Sequence, residues 1–194
     1  MTRPPSPAES DLPGDAEERR VLDEADLVVS AEDVDAALAR MAAAVTVRLA
    51  RSNPLVLAVL IGGMIPATRL VARLDFALEL DYVHATRYRG DTRGHDIHWL
   101  AYPSVPLEGR SVLVVDDILD EGHTLAAILD YCRSRSAREV LSAVLVHKHH
   151  RRGAVLDGAD VTGVHIEDRY VFGCGMDYRG KFRNLPAIYA VKGL

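Results

Sequence analysis

The sequence predicts an α/β fold built on a central, mostly parallel sheet flanked by helices. Apolar runs of strand length alternate with segments of helical period along most of the chain. The clearest run, Leu55 to Ile61 (LVLAVLI), is apolar at every position, the pattern of a strand buried on both faces and so of a parallel sheet. Composition sets the scale. With 194 residues, 48% hydrophobic and 26% charged, the chain has ordinary globular usage and the length of one domain. A chain of this size buries roughly 70% of the surface its unfolded form exposes, so it needs no disulfide or metal staple.

The elements follow in order. Met1 to about Asp15 holds Pro4, Pro5, Pro7 and Pro13 among Ser, Asp and Glu. It is too polar to offset its ordering entropy and is expected to be disordered. A helix is predicted from Ser30 to Arg51: Ser30 can cap it, Asp33 stands three residues on, and Val34, Leu38, Met41, Val45 and Leu49 recur at helical spacing. The strand Leu55–Ile61 ends in Gly62-Gly63, and a helix is expected from Ile65 to Leu74. Leu78 to Thr86 reads as a strand. Arg87 to His98 (RYRGDTRGHDIH) is polar, has two glycines and no period, and reads as a mobile loop. Ser111–Val115 is a third strand, Thr124–Arg135 a helix with Leu125, Ile128, Leu129 and Cys132 on one face, and Glu139–Lys148 a fourth strand. Short strands are expected near Val161–His165, Tyr170–Phe172 and Ala187–Val191. No repeat or linker divides residues 16–194, which reads as one domain.

Several functions are excluded at this level. The balance of 23 Lys+Arg against 28 Asp+Glu gives −5, so no basic surplus points to nucleic acid or an anionic membrane. The longest apolar stretch, Pro54 to Pro66, is too short to span a bilayer. The N-terminus has no apolar core after its Arg, so it is not a secretory signal. A cytoplasmic chain with Cys132 and Cys174 reduced is the plain expectation.

Chemistry is expected beyond the carboxyl ends of the strands. The segment VLVVDDILDEGHT, Val112 to Thr124, carries most of it. A buried strand runs into Asp116 and Asp117, then two apolar residues and Asp120, then Glu121-Gly122-His123-Thr124 opening a helix. N–H groups at a helix start, a Gly permitting close approach and a Thr hydroxyl make an anion cradle for a phosphate. Asp116 and Asp117 would repel that phosphate. They suit hydroxyl donors of a sugar, or a divalent cation. At Leu60 to Met64 (LIGGM) a strand, Gly-Gly and a helix give a second place where backbone can approach a pyrophosphate.

The Val112–Thr124 segment resembles the phosphoribosyl-pyrophosphate (PRPP) motif of the type I phosphoribosyltransferases: apolar strand, two acids, two apolar residues, Asp, any residue, Gly, any residue, Thr. The order of Lys148, Tyr170, Asp177 and Arg183 downstream resembles the hypoxanthine-guanine members. The resemblance runs from about Leu55 to the C-terminus. It implies the type I phosphoribosyltransferase fold with a small hood from the C-terminal and N-terminal segments. It also implies purine salvage, in which PRPP and hypoxanthine or guanine give a nucleotide and pyrophosphate, with Mg²⁺ as cofactor and a homo-oligomer as the assembly.

Carried onto this chain, the resemblance assigns PRPP to Asp116, Asp117, Asp120, Glu121, Gly122, His123 and Thr124. Pyrophosphate falls to Ile61, Gly62 and Arg183, and the base to Lys148, Tyr170, Val171 and Asp177. Metal falls to Asp116, Asp117 and Asp177. Ile61 stands where the family often has Lys, so a side-chain cation is missing there. Residues 87–98 would form a lid, with Arg87-Tyr88 where the family often has Ser-Tyr. Asp120 is the candidate general base; as a plain structural residue it would be an acid at a helix N-terminus. A PRPP-binding regulator and a transferase for another base are the alternatives. His147, His149 and His150 flank Lys148; His147 and His149 share a strand face, but no acid or Cys at ligand spacing joins them, and they are poor metal ligands on that ground.

Overall fold

The structure, a computed structural model, describes residues 15–87, 97–150 and 152–193. In chain order the elements are α1 (Asp15–Glu24), β1 (Asp26–Val29), α2 (Ala31–Leu49), β2 (Leu55–Leu60), α3 (Met64–Val71), β3 (Glu79–Arg87) and β4 (Ile97–Ala101). They continue as β5 (Ser111–Leu119), α4 (His123–Ser134), β6 (Glu139–His149), β7 (Val161–Glu167), β8 (Val171–Phe172) and β9 (Ile188–Ala190). A six-stranded sheet runs β4-β3-β2-β5-β6-β7, parallel except for β4 at one edge. A second, three-stranded sheet, β1-β9-β8, joins the two ends of the chain into the expected hood.

The apolar runs behave as their patterns require. β2 is buried along nearly its whole length and β5 on both faces, with one core cluster on each side of the sheet. On one side Val34, Leu38, Met41 and Val45 of α2 and Ala67 and Leu70 of α3 cover the sheet. On the other, Leu125, Ile128, Leu129 and Cys132 of α4 do so. Ser30 caps α2 as expected, its Oγ accepting from the Asp33 N–H at 3.0 Å. Cys132 and Cys174 are buried and free. Among the described residues no helix is long and apolar enough to cross a membrane.

Three elements depart from the sequence reading. Ile97 and His98, expected in the loop, belong to β4, which pairs antiparallel with β3. Its exposure alternates residue by residue, so one face is covered while the run still looks polar. α1 and β1 were not expected. α1 has no apolar stripe; Glu17 pairs with Arg179 at 2.8 Å and Glu18 with Lys181 at 2.7 Å, tying it to the far end of the chain. The tail expected to be disordered lies outside the described residues, apart from Asp15, which begins α1.

Candidate active site

The sheet places its switch point between β2 and β5. From β2 the chain crosses through α3 to β3; from β5 it crosses through α4, on the opposite face, to β6. A crevice opens where such connections diverge. β2 pairs with β5 only as far as Ala58↔Val115, whereas β5 continues beside β6 to Leu119↔His147. The last turn of β5 is therefore bare on one edge, and the Gly62-Gly63 turn fills that edge.

Both glycines are dictated by that approach. A Cβ on Gly62 would fall inside the Asp117 carboxylate, and one on Gly63 would lie 2.6 Å from the Val59 carbonyl oxygen and 2.7 Å from that of Val115. Gly175 closes the same point from the hood side. Its φ is +109°, and a Cβ there would strike the Gly62 carbonyl.

The apolar pattern ends the strand at Val115, but Asp116 and Asp117 lie within β5, and each is 8% exposed. Pairing with β6 extends the strand through them. Asp116 Oδ1 accepts from the Asp117 N–H at 2.9 Å and Asp117 Oδ1 from the Ile118 N–H at 2.8 Å. Burial, and then the neighbouring Asp117 charge, push the Asp116 carboxyl well above the usual carboxylate range. Burial also raises Asp117, offset in part by Asp116, the Ile118 N–H and the charge of Arg183. Neither forms an ion pair among the described residues.

Past Leu119 the chain turns into α4. Gly122 occupies the N-cap position at φ +83°, in the left-handed region, and no side chain caps the helix. The first N–H groups of a helix have no intrahelical partner, so this end presents donors and a positive dipole end to an anion. A cavity of about 390 Å³ lies over it. Ile61, Gly62, Asp116, Asp117 and the run Asp120–Thr124 line it, with Asp177 and Arg183 on the hood side. Arg183 pairs with Asp177 at 2.5 Å and donates to the Gly175 carbonyl at 2.6 Å.

A second cavity, of about 230 Å³, shares Asp117, Ile118, Asp120 and Asp177 with the first and adds Lys148, Tyr170, Val171 and Met176. Lys148 Nζ donates to Asp120 Oδ2 at 3.1 Å. Arg152 donates to Asp120 Oδ1 and to Asp168 Oδ1, both at 2.9 Å, and Lys148 Nζ stands 3.8 Å from Asp168. Charges of alternating sign thus form a ring, Lys148–Asp120–Arg152–Asp168. His150 Nε2 adds a contact to Asp120 Oδ1 at 3.1 Å. Tyr170 stands at the cavity wall, its hydroxyl 3.4 Å from the Asp177 carbonyl oxygen.

Every site residue expected from the sequence lies on one of these two cavities, with two exceptions. Tyr88 lies outside the described residues, as does most of the expected lid; Arg87 ends β3, and its side chain is not among those described. The sequence reading passed over Arg152, Asp168, Gly175 and Met176. Arg152 and Asp168 had a weak signal, a basic run after Lys148 and an acid two residues before Tyr170. Gly175 had a better one: the Gly-Cys-Gly at residues 173–175 puts two flexible positions directly ahead of Asp177.

Residues 30–179 match the phosphoribosyl transferase domain family. A hypoxanthine-guanine-xanthine phosphoribosyltransferase of Tritrichomonas foetus is 32% identical over 161 residues, covering 83% of this chain and 88% of its own. The bifunctional protein TilS/HprT of Listeria innocua is 30% identical over 86% of this chain, which spans only 26% of that longer relative. Among solved structures, a hypoxanthine phosphoribosyltransferase from Staphylococcus aureus superposes with a TM-score of 0.82 at 26% identity, covering 93% of this chain and 97% of its own. The family match spans the six-stranded sheet, the switch-point crevice and the lining of both cavities except Arg183, and on it the chain belongs to the phosphoribosyltransferase family.

Proposed function

We propose that the chain transfers the 5-phosphoribosyl group of PRPP to N9 of hypoxanthine or guanine, releasing pyrophosphate. The observation that carries this reading is the shared wall of the two cavities: Asp117, Asp120 and Asp177 face both the phosphate cradle and the Lys148 pocket. A sugar held between them can have its C1′ turned toward a base at Lys148. The names of the relatives support the same substrate class.

Each residue has a task in this reading. The start of α4, from Glu121 to Thr124, cradles the 5′-phosphate through N–H groups. Asp116 and Asp117 accept from the ribose hydroxyls. Gly62 offers backbone to the pyrophosphate, and Arg183, on the same cavity, adds the cation that Ile61 lacks. Lys148 donates to the 6-oxo group and Tyr170 stacks on the base. In the reaction the C1′–O bond to pyrophosphate breaks and the C1′–N9 bond forms. The proton on the purine ring nitrogen passes to Asp120.

Asp120 has both carboxylate oxygens engaged by Lys148, Arg152 and His150. An incoming 6-oxo group takes over the Lys148 contact and leaves Asp120 Oδ2 able to receive the proton. Asp116, Asp117 and Asp177 offer an all-oxygen donor set on one cavity, and Asp116 and Asp117 form no ion pair among the described residues. Such a set fits Mg²⁺, which when bound supplies charge neutralisation to the departing pyrophosphate.

The test is pyrophosphate release from PRPP with Mg²⁺ and, in turn, hypoxanthine, guanine, adenine, uracil and orotate. Release with hypoxanthine or guanine and little with the others is expected. Release with uracil or orotate, or none with any base, contradicts the reading.

A further inference from the structure

Strand β6 carries chemistry on both faces. Lys148 points to the base cavity; His147 and His149, on either side of it, point the other way. The sequence shows only these two on that face. The fold brings a third, because β7 runs parallel to β6 with His147 opposite His165 and His149 opposite Glu167. The three rings stand together, with centroids 4.8 Å apart for His147 and His149, 5.3 Å for His147 and His165, and 4.8 Å for His149 and His165. One ring nitrogen of each lies within 4.8 Å of the others.

We propose that His147, His149 and His165 bind a divalent transition-metal ion, at a site separate from the carboxylates of the PRPP cavity. Three imidazole nitrogens on one face are a common protein ligand set for zinc, with a further position left for water or a carboxylate. Imidazole suits Zn²⁺, Ni²⁺ and Cu²⁺, whereas Mg²⁺ takes oxygen. The two sites therefore select different ions by ligand chemistry. His147 is 9% exposed, while His149 and His165 are exposed. An ion held there would tie β7 to the end of β6 behind Lys148.

Zn²⁺ is titrated by calorimetry into the full-length chain, carrying no histidine tag, without PRPP and in excess Mg²⁺ to occupy carboxylate sites. The wild type is expected to bind one Zn²⁺ per chain. His165→Ala and His149→Ala should each weaken it by more than the roughly 10–100-fold that loss of an outer-shell partner costs. His150→Ala, on the Asp120 side, should leave the affinity unchanged. Co²⁺ added instead should give a visible absorption band in the wild type that His165→Ala lacks. Failure of the wild type to bind Zn²⁺ overturns the proposal, as does unchanged affinity in both His165→Ala and His149→Ala. Loss of binding only in His150→Ala places the ion at Asp120 and overturns it equally.

Discussion

Two strands each carry an aspartate with little exposed surface and treat it in opposite ways. Asp81 in β3 and Asp116 in β5 are both 8% exposed. Asp81 accepts from the Tyr82 N–H at 2.8 Å, the Ser104 N–H at 2.7 Å, the Ser104 hydroxyl at 2.9 Å and the Val105 N–H at 3.2 Å. Burial alone would raise its pKa; the Tyr82, Ser104 and Val105 donors outweigh that and hold it below the usual carboxylate range. Asp116 has one backbone donor and a second carboxyl beside it, and burial drives it upward. Asp116 is enclosed far more deeply than Asp81 and has fewer donors, so a fold-building acid near solvent stands against one whose missing partners are left for a ligand. Frustration of this kind, in a cleft, marks a functional site.

A third acid extends the contrast and has the largest expected effect. Asp120 has its cations already in place, so Asp120→Asn should leave the KM for PRPP nearly unchanged while kcat falls by roughly 10²–10⁴, the span for losing a general base. Steady-state kinetics with hypoxanthine decides it, and a wild-type kcat would remove Asp120 as the base.

Asp116→Asn combined with Asp117→Asn should cost activity and add stability. The KM for PRPP should rise by about tenfold or more, the scale of losing at least one charged hydrogen bond at roughly 1.5–3 kcal/mol. In the wild type a carboxyl raised on folding favours the native state below its ordinary pKa, and that advantage is lost as pH rises through the folded value. The double variant escapes that loss. Without ligands its melting temperature should exceed the wild type's by a margin that widens from pH 4 to pH 8. A margin that shrinks with pH would contradict the assignment of strain to these acids.

Asp81→Ala should do the reverse. It leaves buried N–H groups unpaired, at a cost of about 1–3 kcal/mol, with kcat per folded molecule unchanged. Its carboxyl is lowered on folding, so the wild-type advantage is present above the ordinary carboxylate pKa of about 3.9 and fades as pH falls through the folded value. Urea unfolding at pH 7 and pH 3 should show the gap between wild type and variant narrowing at the lower pH.

The comparison also explains what could be read from the sequence. The phosphate side is one contiguous stretch, Val112–Thr124, in which strand burial, acids and the αL glycine follow each other along the chain; both the fold element and the chemistry were legible. The base side gathers Lys148, Arg152, Asp168, Tyr170 and Gly175 from several turns. Their charge ring and the Gly175–Gly62 contact depend on tertiary approach, so only resemblance indicated part of them. The same divide holds for the fold. β2, β5, β6, α2 and α4 announce themselves by burial period. β1 is four residues long and pairs with β9 from the opposite end of the chain, while α1 is held by charge pairs to Arg179 and Lys181. The third histidine of the β6–β7 face is hidden for the same reason.

The most direct test of the account is base discrimination through Lys148. Its ammonium offers only donors, so it is satisfied by a 6-oxo group and opposed by the 6-amino group of adenine. The measurement is kcat/KM for hypoxanthine and adenine in the wild type and in Lys148→Ala. A site that pairs a specific polar group rejects the mismatched analogue by up to roughly 10⁴–10⁵, and the exposed mouth of this cavity reduces that to about 10² or more. The account predicts that ratio for the wild type and its collapse in Lys148→Ala through loss of hypoxanthine activity. Comparable adenine activity in the wild type, or an unchanged ratio in the variant, would contradict it.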